Sequence, residues 1–338
     1  MTTLDPSQLS FDLSIAVVAA IICAALIRLL KPWLQRYALA RPNARSSHVV
    51  PTPQGAGIAV IAATLLVAGV AAMLLHIGAQ RTLFASTIFI ALVGIADDIK
   101  PIPVLPRLLL QSAAVGAVIF AMPTELRVAP ILPLIVERGV MLVAGLWFVN
   151  LVNFMDGLDL MTAAEVVPVA GALVLLGWLG DLAVMPTIMA ASLGGAMLGF
   201  APFNRPVAKV FLGDVGSLPI GLLLGWCLLQ LALTGHVAAA LLLPLYYLMD
   251  ATLTLLRRMA GGEPFWAAHR SHFYQRATDN GYSVIRVVSE VFVLNLVLAA
   301  LAAASVRLDT VFFNTLCLAA GVAAVALVLS RFARRAAI

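Results

Sequence analysis

The stretch Arg138-Gly-Val-Met-Leu-Val-Ala-Gly-Leu-Trp-Phe-Val-Asn150-Leu-Val-Asn153-Phe-Met-Asp156-Gly157-Leu-Asp159 holds both halves of the problem. Its first part is a continuous apolar run, without the alternation of a barrel strand. A helix needs about 20 such residues to cross the roughly 30 Å hydrocarbon layer. Its second part ends abruptly in amides and carboxylates. The same pattern recurs along the chain. Of 338 residues, 62% are hydrophobic and 11% charged, and the mean hydropathy is +1.05. Soluble domains carry about 25% charged residues, so this chain cannot solvate its own surface in water. In lipid, only helices or closed barrels satisfy the backbone, and unbroken apolar runs select helices.

Eleven apolar spans follow, at 12–30, 57–76, 82–96, 106–122, 138–154, 161–179, 184–203, 217–234, 237–256, 285–305 and 311–330. The fold class is all-α, a polytopic membrane bundle forming one integral membrane domain over 1–338. The acids Asp5 and Asp12 precede the first run with no basic segment, so that run reads as a membrane helix, not a cleaved signal. Lys and Arg bias sets orientation. With the N-terminus periplasmic and the C-terminus cytoplasmic, all but Arg81, Arg127, Arg138 and Arg307 of the 21 Lys and Arg fall inside. The net charge of +5 then reflects loops beside anionic lipid, not nucleic-acid binding. Cys23, Cys227 and Cys317 lie within apolar runs at no metal or disulfide spacing.

On this topology Asp97, Asp98, Asp156, Asp159 and Asp214 all reach the cytoplasmic ends of spans. A lone Asp at a helix end ordinarily caps it or is solvated, and Asp214 before Val-Gly-Ser217 reads equally as a cap. Asp97-Asp98 is different. Paired carboxylates at a helix C-terminus oppose the helix dipole and repel each other; Lys100 offsets this in part, and a divalent cation would offset it better. With Asn150, Asn153 and Asn204, these are hard oxygen ligands suited to Mg²⁺, or Mn²⁺, and not zinc. Two loops supply cations. Arg41, Arg45 and His48 precede Gly55 and Gly57 at the start of the second span, where a helix N-terminus can hold phosphate. His269, Arg270, His272 and Arg276 form a second group, with the histidines on one face if that segment is helical.

These motifs together resemble the polyprenyl-phosphate N-acetylhexosaminyl-1-phosphate transferases, whose members include the phospho-MurNAc-pentapeptide translocase and the GlcNAc-1-phosphate transferase that initiates O-antigen. The likeness runs from Arg41 to Gln275. Its motifs occur in family order: Asp97-Asp98, Asn153-Phe-Met-Asp156-Gly157-Leu-Asp159, Phe211-Leu-Gly-Asp214-Val-Gly-Ser217, then the histidine loop. It implies transfer of a sugar 1-phosphate from a UDP-N-acetylhexosamine to undecaprenyl or another polyprenyl phosphate in the inner membrane, with UMP leaving. By resemblance, Asp214, Asp97 and Asp98 hold Mg²⁺, and Asp97 or Asp98 is the candidate base. Asn153, Asp156, Asp159, Asn204 and Phe211 meet the nucleotide. Arg45, His48, His269, Arg270, His272 and Arg276 meet phosphates or sugar. The resemblance also admits a homodimer.

Two departures bear on the donor, not the class. The translocase has three consecutive histidines where this chain has His269-Arg-Ser-His272. The stretches Arg41-Pro-Asn-Ala-Arg45-Ser-Ser-His48 and Pro51-Thr-Pro-Gln54-Gly-Ala56-Gly57 resemble the O-antigen-initiating branch that uses UDP-N-acetylfucosamine or UDP-N-acetylquinovosamine, but that branch has Arg and Gly where Gln54 and Ala56 stand. Three rivals fit less well. A flippase or transporter predicts midplane charge and internal repeats. A CDP-alcohol phosphotransferase concentrates four aspartates on one helix pair. The muropeptide translocase differs in its histidine loop and Ser-Ser-His segment.

Overall fold

The computed structural model describes residues 6–40, 51–78, 80–263 and 269–336. It is a helix bundle, as the apolar runs require. Helix α1 (Pro6–Tyr37) leads into a two-residue antiparallel pair, β1 (Leu39–Ala40) with β2 (Thr52–Pro53). Then come α2 (Gly57–Leu74), α3 (Arg81–Ile99), α4 (Val104–Phe120), α5 (Leu134–Met155), α6 (Met161–Trp178), α7 (Val184–Phe200) and α8 (Asp214–Leu233). Among the described residues, nine helices are long and apolar enough to cross a membrane, and α4 is a shorter apolar one.

The expected ninth span is not a single helix. It is broken into α9 (Val237–Leu242) and α10 (Leu245–Ala260). Pro244 sits at the break, where it has no N–H to donate and its ring clashes with the preceding turn. After the histidine segment comes the short α11 (Phe273–Asp279), which the apolar pattern did not signal, then α12 (Val284–Leu308) and α13 (Val311–Phe332).

Helices α6, α7 and α8 are buried along most of their length, while α1 and α13 turn most of their apolar side chains outward. Leu29, Val143, Ile99 and Val311 are exposed by 68% or more. Water would not tolerate so large an apolar surface, and a bilayer would.

Gly94 fixes how α3 meets α8. A Cβ there would lie 2.4 Å from the Asp214 carbonyl oxygen, so only glycine permits this approach. One turn further along α3, the same approach delivers Asp97 and Asp98 to the first turn of α8. The Gly94→Ala variant is therefore expected to push the two helices apart. Overpacking of this kind costs about 1–3 kcal/mol, readable as a lower unfolding temperature in detergent.

Candidate active site

Asp98 organises the meeting point of three chain segments. Its Oδ1 accepts from the Asp214 backbone N–H at 3.0 Å and its Oδ2 from that of Val215 at 3.1 Å. Gln54 Nε2 donates to Oδ1 at 2.5 Å. The first amides of a helix have no internal partner and carry partial positive charge, so a carboxylate from α3 is a fitting acceptor. Asp214 itself is the first residue of α8 and does not cap it; Gly213 occupies the cap position with φ 77°. The capping role that the sequence allowed for Asp214 thus belongs to a residue on another helix.

Gln54 is placed by backbone pairing. The Phe211 N–H donates to the Pro53 carbonyl at 2.7 Å, and the Gly55 and Ala56 amides donate to the Phe211 carbonyl at 3.1 and 3.0 Å. Segments 51–57 and 211–217 therefore form one unit at the mouth of α2 and α8.

Asp97 is held by the Ile102 amide at 2.6 Å and by Arg107 Nη1 at 3.0 Å. Its side chain also meets that of Asp214 in hydrogen-bond contact. Asn153 donates from Nδ2 to Asp214 Oδ1 at 2.8 Å and to Ser217 Oγ at 2.8 Å. Two carboxylates in contact repel unless a proton or cation lies between them. The hard oxygens of Asp97 and Asp214 fit Mg²⁺, which commonly takes one or two carboxylates and completes its shell with water and substrate phosphate. Asp98, expected to share in the metal site, has both oxygens engaged by α8 and Gln54. Among the described residues, no three His, Cys, Asp or Glu side chains converge on one metal position.

Beside this pair lies a cavity of about 390 Å³ whose walls include Gln54, Asn153, Asp156, Asp159, Asn204, Phe211, Asp214 and Gln275. Asp156 accepts from Thr162 Oγ1 at 2.5 Å. Burial, reinforced by the charges of Asp98 and Asp159, pushes its carboxyl up to about 6. Asp159 accepts from the Ala208 amide at 3.0 Å. Asn204, expected to contact the nucleotide, is engaged on both sides: Leu160 N–H donates to its Oδ1 at 2.7 Å, and its Nδ2 donates to the Val210 carbonyl at 3.0 Å. It ties the 157–160 turn to the 204–210 loop and shapes the cavity wall. Phe211 also lines the cavity, half-buried.

From the histidine segment and α11, Gln275 reaches the cavity wall, whereas His269, Arg270, His272 and Arg276 do not line it. His269 and His272 come together, with ring centroids 4.9 Å apart, but through a turn preceding α11 and not along a helix as the spacing suggested. Tyr274 donates from its hydroxyl to the Phe154 carbonyl at 3.0 Å. Gly157 makes room for it, since a Cβ there would lie 2.1 Å from the Tyr274 hydroxyl oxygen. The cations are partly spent internally. Arg270 pairs with Asp279 at 3.0 Å, and Arg276 lies 5.9 Å from the Phe273 ring centre. Burial, with the charges of His272, Arg258 and Arg257, pushes His269 down to about 4, so at neutral pH it is an uncharged hydrogen-bonding group. Arg45 and His48 lie outside the described residues.

Sequence reading passed over Asp250 and Glu165, both buried inside helices. An ionisable residue within an apolar span was the signal, because such a residue is retained in lipid only with partners.

Fold and site define a polytopic helical membrane protein with a carboxylate-rich polar cavity at one end of its bundle. Residues 81–232 match the model of Glycosyl transferase family 4. The chain is 28% identical over 315 residues to decaprenyl-phosphate N-acetylglucosaminephosphotransferase of Mycobacterium leprae, covering 82% of this chain and 78% of that one. It is 27% identical over 290 residues to the probable undecaprenyl-phosphate N-acetylglucosaminyl 1-phosphate transferase of Bacillus subtilis, covering 79% and 78%. A phospho-N-acetylmuramoyl-pentapeptide-transferase of Oceanobacillus iheyensis is 40% identical, but over 72 residues, 21% of this chain and 22% of its own. The likeness to glycosyl transferase family 4 thus covers residues 81–232 of this chain.

The lowered His269 value has a consequence for stability. Between pH 6.5 and about 4 the unfolded chain binds a proton at this site that the folded chain excludes. Stability therefore falls as pH drops through that window. The His269→Gln variant is expected to lose less stability than the parent between pH 7 and 4, measured by thermal unfolding at each pH; equal losses would contradict a neutral His269.

Proposed function

We propose that this chain transfers an N-acetylhexosamine 1-phosphate from a UDP-sugar to a polyprenyl phosphate, undecaprenyl phosphate in the first instance, releasing UMP. The observation that carries the reading is the convergence of Asp97, Asp98 and Asp214 from two helices beside a polar cavity. The printed activities of the Mycobacterium and Bacillus relatives support the reaction class. The muropeptide alternative has the shorter match.

The acceptor phosphate attacks the β-phosphorus of the donor. A new P–O bond forms as the bond to the bridging oxygen breaks, and that oxygen leaves on UMP. A phosphate monoester is largely dianionic near neutral pH, its second pKa being about 6, so little base assistance is needed. Asp97, held by Arg107 and the Ile102 amide, is the candidate for any residual proton. Such transfers depend chiefly on positioning and charge stabilisation. Mg²⁺ (or Mn²⁺), held by Asp97 and Asp214, would neutralise charge on the diphosphate. Asn153 orients Asp214 for that task. Asp156, Asp159 and Phe211 face the nucleotide, while Asn204 keeps their loops in place. His269, Arg270, His272 and Arg276 face the sugar and diphosphate, and Arg45 and His48 serve the acceptor or donor phosphates. A second cavity of about 350 Å³, lined largely by apolar side chains of α4, α5, α8 and α10 such as Val115, Phe148, Trp226 and Leu248, suits an isoprenoid chain.

The Lys and Arg asymmetry supports a site on the cytoplasmic face, and the bacterial relatives support the inner membrane as its location. The product would initiate O-antigen or another surface polysaccharide.

Purified protein is incubated with polyprenyl phosphate, Mg²⁺ and a panel of UDP-N-acetylhexosamines, and UMP and lipid-linked product are measured. At least one donor should give both in equal amounts. The Asp214→Asn variant should lose turnover by about 10²–10³-fold, the range for removing a group that stabilises transition-state charge, while staying folded. Inverted membrane vesicles should react with added UDP-sugar and sealed right-side-out vesicles should not. Wild-type turnover by Asp214→Asn would refute the metal assignment.

A further inference from the structure

Asp250 lies on α10 with no solvent exposure, one turn after the Tyr246-Tyr247 pair. Its carboxylate gathers donors from two places. From the histidine segment come the Phe273 amide to Oδ1 at 3.0 Å, the Tyr274 amide to Oδ2 at 3.1 Å, and His272 Nδ1 to Oδ1 at 3.3 Å. From its own helix come Tyr246 Oη to Oδ2 at 3.2 Å and Thr254 Oγ1 to Oδ1 at 3.4 Å. A buried carboxylate is costly unless satisfied, and here most of what satisfies it belongs to the loop.

The arrangement repeats what Asp98 does for α8. In both cases a carboxylate on one helix takes the first two amides of another. At α11 it does something more. A carboxylate only accepts, so the His272 proton in this contact sits on Nδ1, which sets the orientation of the ring and of Nε2 on its other side. The ring is also fixed in plane. It stacks on Phe154 at 6.4 Å and on Tyr274 at 5.7 Å. The same anchoring seats Tyr274 against the Phe154 carbonyl and brings Gln275 into the cavity wall. Neither Asp250 nor His272 lines that cavity; Gln275 is the residue of α11 that does.

We infer that Asp250 is a positioning residue for the sugar-diphosphate end of the site, acting through His272 and the start of α11. This inference rests on the proposed transferase reaction for its kinetic consequences, but its structural consequence can be read without any turnover. The substitution Asp250→Asn preserves shape and replaces one acceptor oxygen by a donor facing an amide N–H. Hydrogen exchange at the Phe273 and Tyr274 amides should accelerate about tenfold or more, since hydrogen bonds to a charged group are worth about 1.5–3 kcal/mol. In the same variant, KM for the UDP-sugar should rise about tenfold, while KM for polyprenyl phosphate and Ki for UMP stay within about twofold. On a His272→Phe background, which keeps the stacking, Asp250→Asn should add less than about threefold, because coupled residues are non-additive.

Should Asp250→Asn not fold, Tyr246→Phe removes a partner of Asp250 without touching the loop. It is expected to raise UDP-sugar KM about two- to threefold with UMP Ki unchanged. Unchanged amide exchange, multiplicative effects in the double variant, or a UMP Ki rising in step with the UDP-sugar KM would each overturn the positioning role. In the fallback, an unchanged UDP-sugar KM would do the same. If exchange accelerates as expected while the parent protein releases no UMP from any donor, the transferase reading fails and the anchoring of the loop stands.

Discussion

The carboxylate of Asp98 on the first two amides of α8 is the contact on which the site depends. It joins the C-terminal end of α3 to the N-terminal end of α8, and through Gln54 it adds the segment leading into α2. Because Asp98 and Asp97 are adjacent, fixing one presents the other to Asp214. The opposed helix ends favour this: an unsatisfied, partly positive N-terminus faces two negative side chains. Remove the pairing and the two acids would repel each other at a helix end that already disfavours negative charge. Gly94 supplies the steric condition, since any side chain there would keep α3 from reaching α8.

Two of the costly carboxylates within this bundle do two jobs each. Asp98 satisfies a helix terminus and, being adjacent to Asp97, sets that side chain against Asp214. Asp250 satisfies a second terminus and fixes a histidine. Asn204 bridges two loops with its full amide. Helix–loop junctions at the rim of a membrane protein lack both the helical ladder and full access to water, so side chains must complete the backbone there. That demand explains why residues resembling ligand contacts in sequence turn out to be partly occupied by backbone. The cavity these contacts shape is lined by Asp214, Asp156, Asp159 and Phe211 together with Gln275 of α11.

Much of the bundle was legible in the sequence because apolar length is a one-dimensional property. Runs such as 138–154 need no tertiary information to be read as helices. The break in the ninth span was less visible: Pro244 was present, but a proline in a membrane helix is compatible with continuity when neighbours compensate. Helix α11 was illegible for a different reason. It spans only Phe273–Asp279 and depends on Asp250, more than twenty residues upstream, for its first amides. The acids of the site were legible as a group, since carboxylates at span ends demand partners. Their separate duties were not. Nothing in the pair Asp97-Asp98 says which one turns to the α8 backbone and which to Arg107 and Asp214; that follows from the rotation of α3 against α8.

On the proposed reaction one dipeptide divides the labour: Asp98 builds the site, and Asp97 with Asp214 would hold the cation. Crystals grown with Mn²⁺ and examined by anomalous scattering test it most directly. A single peak within coordination distance of Asp97 and Asp214 oxygens, with Asp98 still bonded to the Asp214 and Val215 amides, is the expected result. A peak coordinated by Asp98 with those amide bonds broken, or none beside Asp214, would contradict it.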